Sequence, residues 1–433
     1  MAVDLNLPLS AGYGDLTLLV CGLSTDGTRE RYLFVDLGAR TVRETTIDIG
    51  DLRARQLAVL RDRLGDGPVP YGLGRLEDLL SYFLHPHSFV QTADGEVVVS
   101  FKQAPYLRRL GRDGGSHLWP PATELDFAAM QSSTKCEVEP GVIAFAMTDT
   151  EDRLRRYHDQ DQQLRSSAWR YDLRTGAATR LGDLPGFACD TIHELETSPN
   201  GFMVGVDMDL SVRPGGSDGR VLGTDGGTFD VTRYAANEFP TGRFVVADEK
   251  LTRASVHTTG ASCSAHVDVD LDDPDVFYVS CNNISKWQNN VVVHGPGVLE
   301  RWRYRDGAAV REAAHTGPTF LRITSQQLFH RDGRQLIAVT GFPNRLFVLD
   351  PADMSTVFDV ELFAHEPVQP PFICAKNSQS PLYLAVEPTG RYVFMTGAST
   401  LFVVDLDEGR VVEQVPFCEP GSLMATAHIG FVR

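Results

Sequence analysis

Six times along the chain a tight turn runs directly into an apolar strand. The copies are "TADGEVVVSF" around Gly95, "VEPGVIAFAM" around Gly141, "TSPNGFMVGV" around Gly201, "LDDPDVFYVS" around Asp275, "HRDGRQLIAV" around Gly333 and "VEPTGRYVFM" around Gly390. Each follows a few residues of strand character, the pattern of a hairpin closed by a short Gly/Asp/Asn/Pro turn. A second unit alternates with the first: a strand ending in Asp, a turn, then another strand. It stands at Asp36, Asp172, Asp248, Asp350 and Asp405, with "RWRYRDGAAV" as a looser copy. Two hairpins per repeat make four antiparallel strands, the blade of a β-propeller.

The chain ends constrain the number of blades. Residues 15–48 hold three strands and lack the innermost one, while "TAHIGFVR" at the C-terminus is a single unpaired strand. If that strand fills the missing inner position, the two ends close the ring and leave no exposed sheet edge. The chain is thus expected to be all-β, one seven-bladed β-propeller domain over residues 1–433. Its blades would be 15–48 with 426–433, then 87–112, 134–182, 193–257, 266–315, 323–362 and 381–415. Two larger insertions break the rhythm. Residues 49–86 have helical spacing, with Leu57, Leu60 and Leu64 on one face and "LEDLLSYFL" as a second short helix, and are expected to form a helical cap. Residues 208–241 are a Gly/Asp-rich loop insertion, and smaller ones lie at 113–132, 149–166, 284–297 and 363–380. All fall at connections that emerge where the inner strands begin, so the elaboration belongs to one face of the disc.

Counting back eight residues from a turn glycine locates the head of each inner strand. From Gly201 that position is His193 and from Gly95 it is His87; nine residues before Asp275 stands His266. The C-terminal strand is expected to begin at His428, while the same slot holds Ser133, Ser325 and Leu382 in the other blades. Inner strands converge on the central channel, so four imidazoles are expected on one axis at the loop-rich face. One such histidine is more often a hydrogen-bonded channel residue than a ligand. Four in one repeat slot point to a metal site, because neutral imidazole is the commonest transition-metal ligand. His85, two residues before His87, could take its place. The remaining histidines, His117, His158, His257, His294, His315, His330 and His365, fall in loops, outer strands or turns.

Ligand type favours Fe, Cu, Zn or Ni over Mg or Ca. Four nitrogen ligands with no carboxylate would leave a divalent ion its full charge. Glu137, Glu194 and Glu387 lie near inner strands as candidates to orient the rings. The Asp-rich "DVDLDDPD" at 268–275 lacks the spacing of a calcium loop and reads as a strand and turn. Cys263 and His266 make a C-x-x-H pair without a second pair at zinc spacing, and are read as a buried thiol and a separate histidine. No catalytic side chain and no organic cofactor site is assigned.

A seven-bladed propeller with four histidines from four inner strands, the last almost at the C-terminus, resembles the carotenoid cleavage oxygenase family in layout. The resemblance rests on His87, His193, His266 and His428, and on "AHIGFV", loosely similar to that family's terminal histidine strand. It implies a non-haem Fe(II) held by those four residues beneath a helical cap, and alkene cleavage with O2; by ligand type alone Cu or Zn also fits. The chain departs from the family in the residues flanking the histidines and in their spacing. A shorter stretch, "LDDPDVFYVSC", is similar to a strand of the selenium-binding protein/methanethiol oxidase family.

Composition narrows the partners. The net charge is −17 with no run of Lys or Arg, which argues against a nucleic-acid partner. The N-terminus lacks the basic and apolar regions of a secretory signal, and no apolar run approaches the ~20 residues of a membrane span. Seven scattered cysteines suit reduced thiols in a cytoplasm. The leading expectation is a metal-dependent oxygenase acting with O2 on a small, partly apolar molecule. The alternatives are a lyase or cyclase using the ion as Lewis acid, and a non-catalytic propeller serving as a protein-interaction platform.

Overall fold

The computed structural model describes residues 4–65, 69, 74–92, 94–111, 115–121, 125, 127, 129–131, 133–134, 137–149, 166–184, 192–207, 224–225, 228–229, 239, 241–287, 290–317, 320–375, 382–397 and 399–433. The two ends of the chain meet in one sheet. The C-terminal strand Leu423–Val432 lies antiparallel to Thr17–Ser24, with Val432 opposite Thr17 and Ile429 opposite Val20. It is the inner strand of blade one, which continues outward through Arg29–Asp36, Thr41–Asp48 and Asp4–Asn6. This strand starts at Leu423, so His428 sits inside it and not at its head as the sequence suggested. Pairing along the whole of Thr17–Ser24 draws the extra residues into the ladder.

Six further sheets complete the ring. Their inner strands are Pro86–Gln91, Glu137–Glu139, Ile192–Ser198, Ser264–Val269, Gln326–Arg331 and Leu382–Val386, for blades two to seven in order. Each is antiparallel to the next strand of its own sheet. The second strands are apolar and buried on both faces, as in Phe202–Asp207 and Val276–Cys281, because each sheet is sandwiched between two neighbours. Outer strands such as Ala254–Thr258 alternate between exposed and half-buried, as one-sided strands do. The packing between blades four and five unites Phe202, Val204 and Phe244 with Val267, Phe277 and Trp302. Each such fully buried side chain contributes about 1.5–3 kcal/mol.

The turn glycines recur for a backbone reason. Gly95, Gly141, Gly201, Gly333 and Gly390 have φ of 80°, 77°, 81°, 74° and 74°, a left-handed region that side chains disfavour. At Gly390 a Cβ would also stand 2.6 Å from the His330 carbonyl oxygen of the adjacent blade.

The 49–86 insertion forms two helices, α1 (Gly50–Leu64) and α2 (Leu76–Phe83). Asp51 in the first turn of α1 and Arg61 and Arg63 in its last turn suit the helix dipole. Its buried face is Leu52, Gln56 and Leu60, while Leu57 and Leu64 are only partly buried, so the apolar stripe is rotated from the one read in the sequence. The helices bury Leu60, Leu79, Leu80 and Phe83 against Leu23, Phe101, Cys263 and Ile284. Leu23 and Phe101 end second strands and Cys263 precedes an inner strand, so the helices lie on the face where the inner strands begin.

Three expectations need amendment. Segments 284–297 and 363–380, taken as separate loop insertions, contribute Ile284–Trp287, Asn290–Val293 and Phe372–Ala375 to one three-stranded antiparallel sheet. Ser133, taken as the head of the third inner strand, instead pairs in parallel with the next blade, opposite Glu194. Segment 113–132, taken as an insertion after a blade ending at 112, supplies the outer strand of blade two at Ser116–Trp119, paired with Leu107–Leu110. Most of 208–241 and of 149–166 lies outside the described residues.

Candidate metal centre

Four histidines distant in sequence meet at the channel. The ring centroids of His87 and His193 are 4.9 Å apart, those of His193 and His266 5.7 Å, His266 and His428 4.9 Å, and His428 and His87 4.9 Å, a closed circuit. His87, His193 and His266 are buried, and the His428 side chain retains 12% exposure. The Nε2 atoms of His87 and His193 face each other at 3.2 Å. His85 lies behind, its ring 5.9 Å from that of His87, so it does not replace its neighbour.

The strand geometry explains the convergence. Pro86 pairs with Phe101 and Ser88 with Ser100, which leaves His87 as an extra residue in the inner strand. Ile192 pairs with Asp207 and Glu194 with Val206, which leaves His193 extra. Ser264 pairs with Cys281 and His266 with Ser280, so the extra residue there is Ala265, directly before the histidine. In the C-terminal strand Thr426 pairs with Gly22 and Ile429 with Val20, so Ala427 and His428 together face Cys21. Each histidine therefore sits at a β-bulge, the device that breaks the pleat and re-aims a side chain.

The bulge at His193 brings to the cluster Glu194, one of the three acids read as candidates to orient a ring. In a regular strand Glu194 would point away from its neighbour. Here the ligand atoms of His87, His193 and Glu194 lie within 4.8 Å of one another, as do those of Glu194, His266 and His428. Glu194 Oε1 accepts a hydrogen bond from His266 Nδ1 at 2.8 Å and stands 3.3 Å from His428 Nε2. Its Oε2 accepts from the Val267 backbone N–H at 3.2 Å. This pairing holds His266 in the tautomer whose Nε2 carries the lone pair. Of the three acids read as candidates to orient the rings, Glu194 reaches one, that of His266, and it is 1% exposed.

Burial, with His193, His428 and Lys102 adding to it, holds the His87 imidazole well below its ordinary value. His193 is pushed the same way by burial and by Lys102, against the pull of Glu194. Both rings are thus neutral, the state in which imidazole binds metal. Two nitrogens bound to one ion at about 2.1 Å, and 90–110° apart, lie about 3.0–3.4 Å from each other, which the 3.2 Å Nε2 separation matches. The buried Nδ1 atoms of His87 and His193 have no hydrogen-bond partner among the described residues. The donor set fits a transition ion.

The other candidates serve the fold. Glu387 accepts the backbone N–H groups of Thr389 and Arg391 in its own turn and does not orient a ring; the Glu137 side chain lies outside the described structure. Asp270 accepts the N–H groups of Asp272 and Asp273 and the Tyr278 hydroxyl, so the Asp-rich segment is a built turn. Cys263 is a buried thiol. His257, His315 and His330 make local contacts with Ser255, the Met354 carbonyl and Asp272. His294 departs from its reading as an ordinary loop residue: its ring is buried beside Phe239, and burial lowers its pKa to about 4.

No protein-family model matches the chain, and no curated protein matches its sequence. Among solved structures, lignostilbene dioxygenase of Pseudomonas brassicacearum aligns over 100% of this chain and 96% of its own, with a TM-score of 0.56 and 12% identity. AztD of Citrobacter koseri, in its apo form, aligns over 94% of this chain and 84% of its own, at a TM-score of 0.41 and 13% identity. The first likeness establishes a shared propeller fold that resembles the carotenoid cleavage oxygenase layout. Among the described residues no helix is long and apolar enough to cross a membrane.

Proposed function

We propose that the chain is a metal-dependent enzyme of the non-haem oxygenase type, with Fe(II) held by His87, His193, His266 and His428. The observation that carries this is the meeting of four bulge-borne histidines around one buried carboxylate. When bound, such an ion supplies open positions and one-electron chemistry for O2. The chain supplies the rest. Burial keeps His87 and His193 unprotonated for ligation. Glu194 fixes the His266 ring and draws blades four and five together through Val267. The helices α1 and α2 pack on Leu23, Phe101 and Cys263 at the face where the inner strands begin and would shield that side from water. The fold likeness to a lignostilbene dioxygenase supports small conjugated alkenes as first candidate substrates.

Protein purified without an affinity tag should contain about one transition ion per chain and consume O2 with an aryl alkene. The His193→Ala/His266→Ala double variant should retain neither. Stoichiometric metal in that variant would remove these histidines from the site. Turnover that needs the metal but consumes no O2 would replace the oxygenase with a lyase or cyclase.

A further inference from the structure

The face away from the heads of the inner strands also carries a cavity. Where blade seven meets blade one, a cleft of about 610 Å3 opens between the hairpin turns at 387–392 and 405–408 and the segment 11–16 that leads into Thr17–Ser24. That size suits a small molecule, since ligand clefts run to about 300–1,000 Å3. The wall is aromatic. Tyr13 stands edge-on to Tyr392 and Phe394, with ring centroids 5.1 and 5.5 Å apart.

The charges around this wall do not balance. Glu387 lines the cleft, 7% exposed, and accepts the Thr389 hydroxyl and the N–H groups of Thr389, Arg391 and Tyr392. Glu413 lies behind the wall, 8% exposed. Its Oε1 accepts the Ser10 N–H at 2.9 Å, the Ser10 hydroxyl, and the Tyr13 hydroxyl at 3.2 Å. All these donors are neutral, and neither carboxylate forms an ion pair among the described residues. Buried carboxylates ordinarily find a cation. Against burial, which raises its pKa, the Thr389 hydroxyl and the turn N–H groups hold Glu387 below its ordinary carboxylate value, so it is charged at neutral pH. Asp15 adds a third carboxylate on the exposed rim. The one guanidinium lining the cleft, that of Arg391, is shared by Asp405 at 2.8 Å and Asp407 at 3.2 Å. It stands 4.9 Å from the centre of the Tyr392 ring, which shows that this wall accepts a cation.

We propose that this cleft binds a small organic ammonium ion, its charge answering Glu387, Glu413 and Asp15 and its apolar body lying on Tyr13 and Tyr392. The site stands apart from the histidine centre and does not depend on what that centre does. A neutral ligand of the same shape would gain the apolar contact and leave the carboxylates uncompensated.

Calorimetric titration with phenethylamine, protonated at neutral pH, and with its neutral counterpart 2-phenylethanol tests the cleft. Wild-type protein should bind one amine per chain at least about tenfold more tightly than the alcohol, and added NaCl should shrink that preference. Glu413→Gln keeps the shape and removes a buried charge, and should cut the preference about threefold to fivefold. Asp15→Asn, on the rim, should cut it about twofold. Tyr392→Leu should weaken the amine more than the alcohol, because it keeps an apolar wall and removes the ring face. Should Glu413→Gln fail to fold, the exposed Asp15→Asn and the Tyr392→Leu variants carry the same comparison. The preference should persist in the His193→Ala/His266→Ala variant, which separates amine held here from amine held at the histidines. Equal binding of the two compounds by wild type, binding of neither, a preference unchanged in the cleft variants, or one lost with the histidines would overturn the proposal.

Discussion

The inner strands of blades two, four and five, with the C-terminal strand of blade one, differ from those of blades six and seven in one respect. The first four are bulged at their histidines. Gln326–Arg331 and Leu382–Val386 pair residue for residue with no irregularity. Blade three has a shift too, at Val138, but beside its turn and away from the channel-side head. One repeat slot therefore presents its residue in two ways. An added residue twists the strand locally and turns its side chain toward the axis. The regular strands instead spend their heads on hydrogen bonds within and between blades, as Ser325 and Thr324 do with Thr340.

The largest test of this contrast moves a ligand from one class of strand to the other. His193→Ala should weaken metal binding by more than the about 10–100-fold typical of losing a ring-orienting partner. Adding Ser325→His on the regular strand of blade six should not recover it, by competition with a chromogenic chelator. Recovery would mean that slot position suffices and the bulge is incidental. Next in size is Glu194→Gln, which keeps the shape but removes the charge bonded to His266. Metal affinity should fall about 10–100-fold, while a variant that binds as tightly as wild type would reduce Glu194 to a link between blades.

A smaller effect separates the bulge-borne rings by pH. His87 and His193 are held below the ordinary imidazole value in the fold, so near and below pH ~6.5 the unfolded chain binds more protons than the native one. Stability of the metal-free protein should be full above that pH and fall below it, by up to about 1.4 kcal/mol per pH unit for each ring. Denaturant titrations at two pH values on either side of that point should lose this dependence in a His87→Ala/His193→Ala variant. The smallest change concerns closure. Gln91 of blade two holds the last residue by both backbone groups, at 3.1 Å from Arg433 O and 3.0 Å from Arg433 N. Gln91→Ala should cost about 1 kcal/mol, read as a lower melting temperature and faster exchange of amides in the His428 strand.

The propeller was legible because its signals are local. Turn glycines at Gly95, Gly201 and Gly390 mark left-handed positions, and the strands beside them alternate or run apolar over short windows. Even the closure could be read, since three strands at one end of the chain needed the single strand at the other. The four histidines were legible as occupants of a repeat slot, and the structure brings them together. Glu194 was visible only as one of three nearby acids, because period-two alternation assigns it to the opposite side of the strand from His193. The sheet formed by Ile284–Trp287, Asn290–Val293 and Phe372–Ala375 was also hidden, because its pairing joins segments from distant parts of the chain.

The amino-acid sequence by itself determined the number of blades, the closing strand and the identity of the four imidazoles, since turn chemistry and side-chain period act within a few residues. Only the tertiary structure decided that those imidazoles face one another, that a carboxylate joins them, and that Tyr383 packs against His428. Those outcomes depend on register shifts between paired strands, and a register belongs to two strands at once.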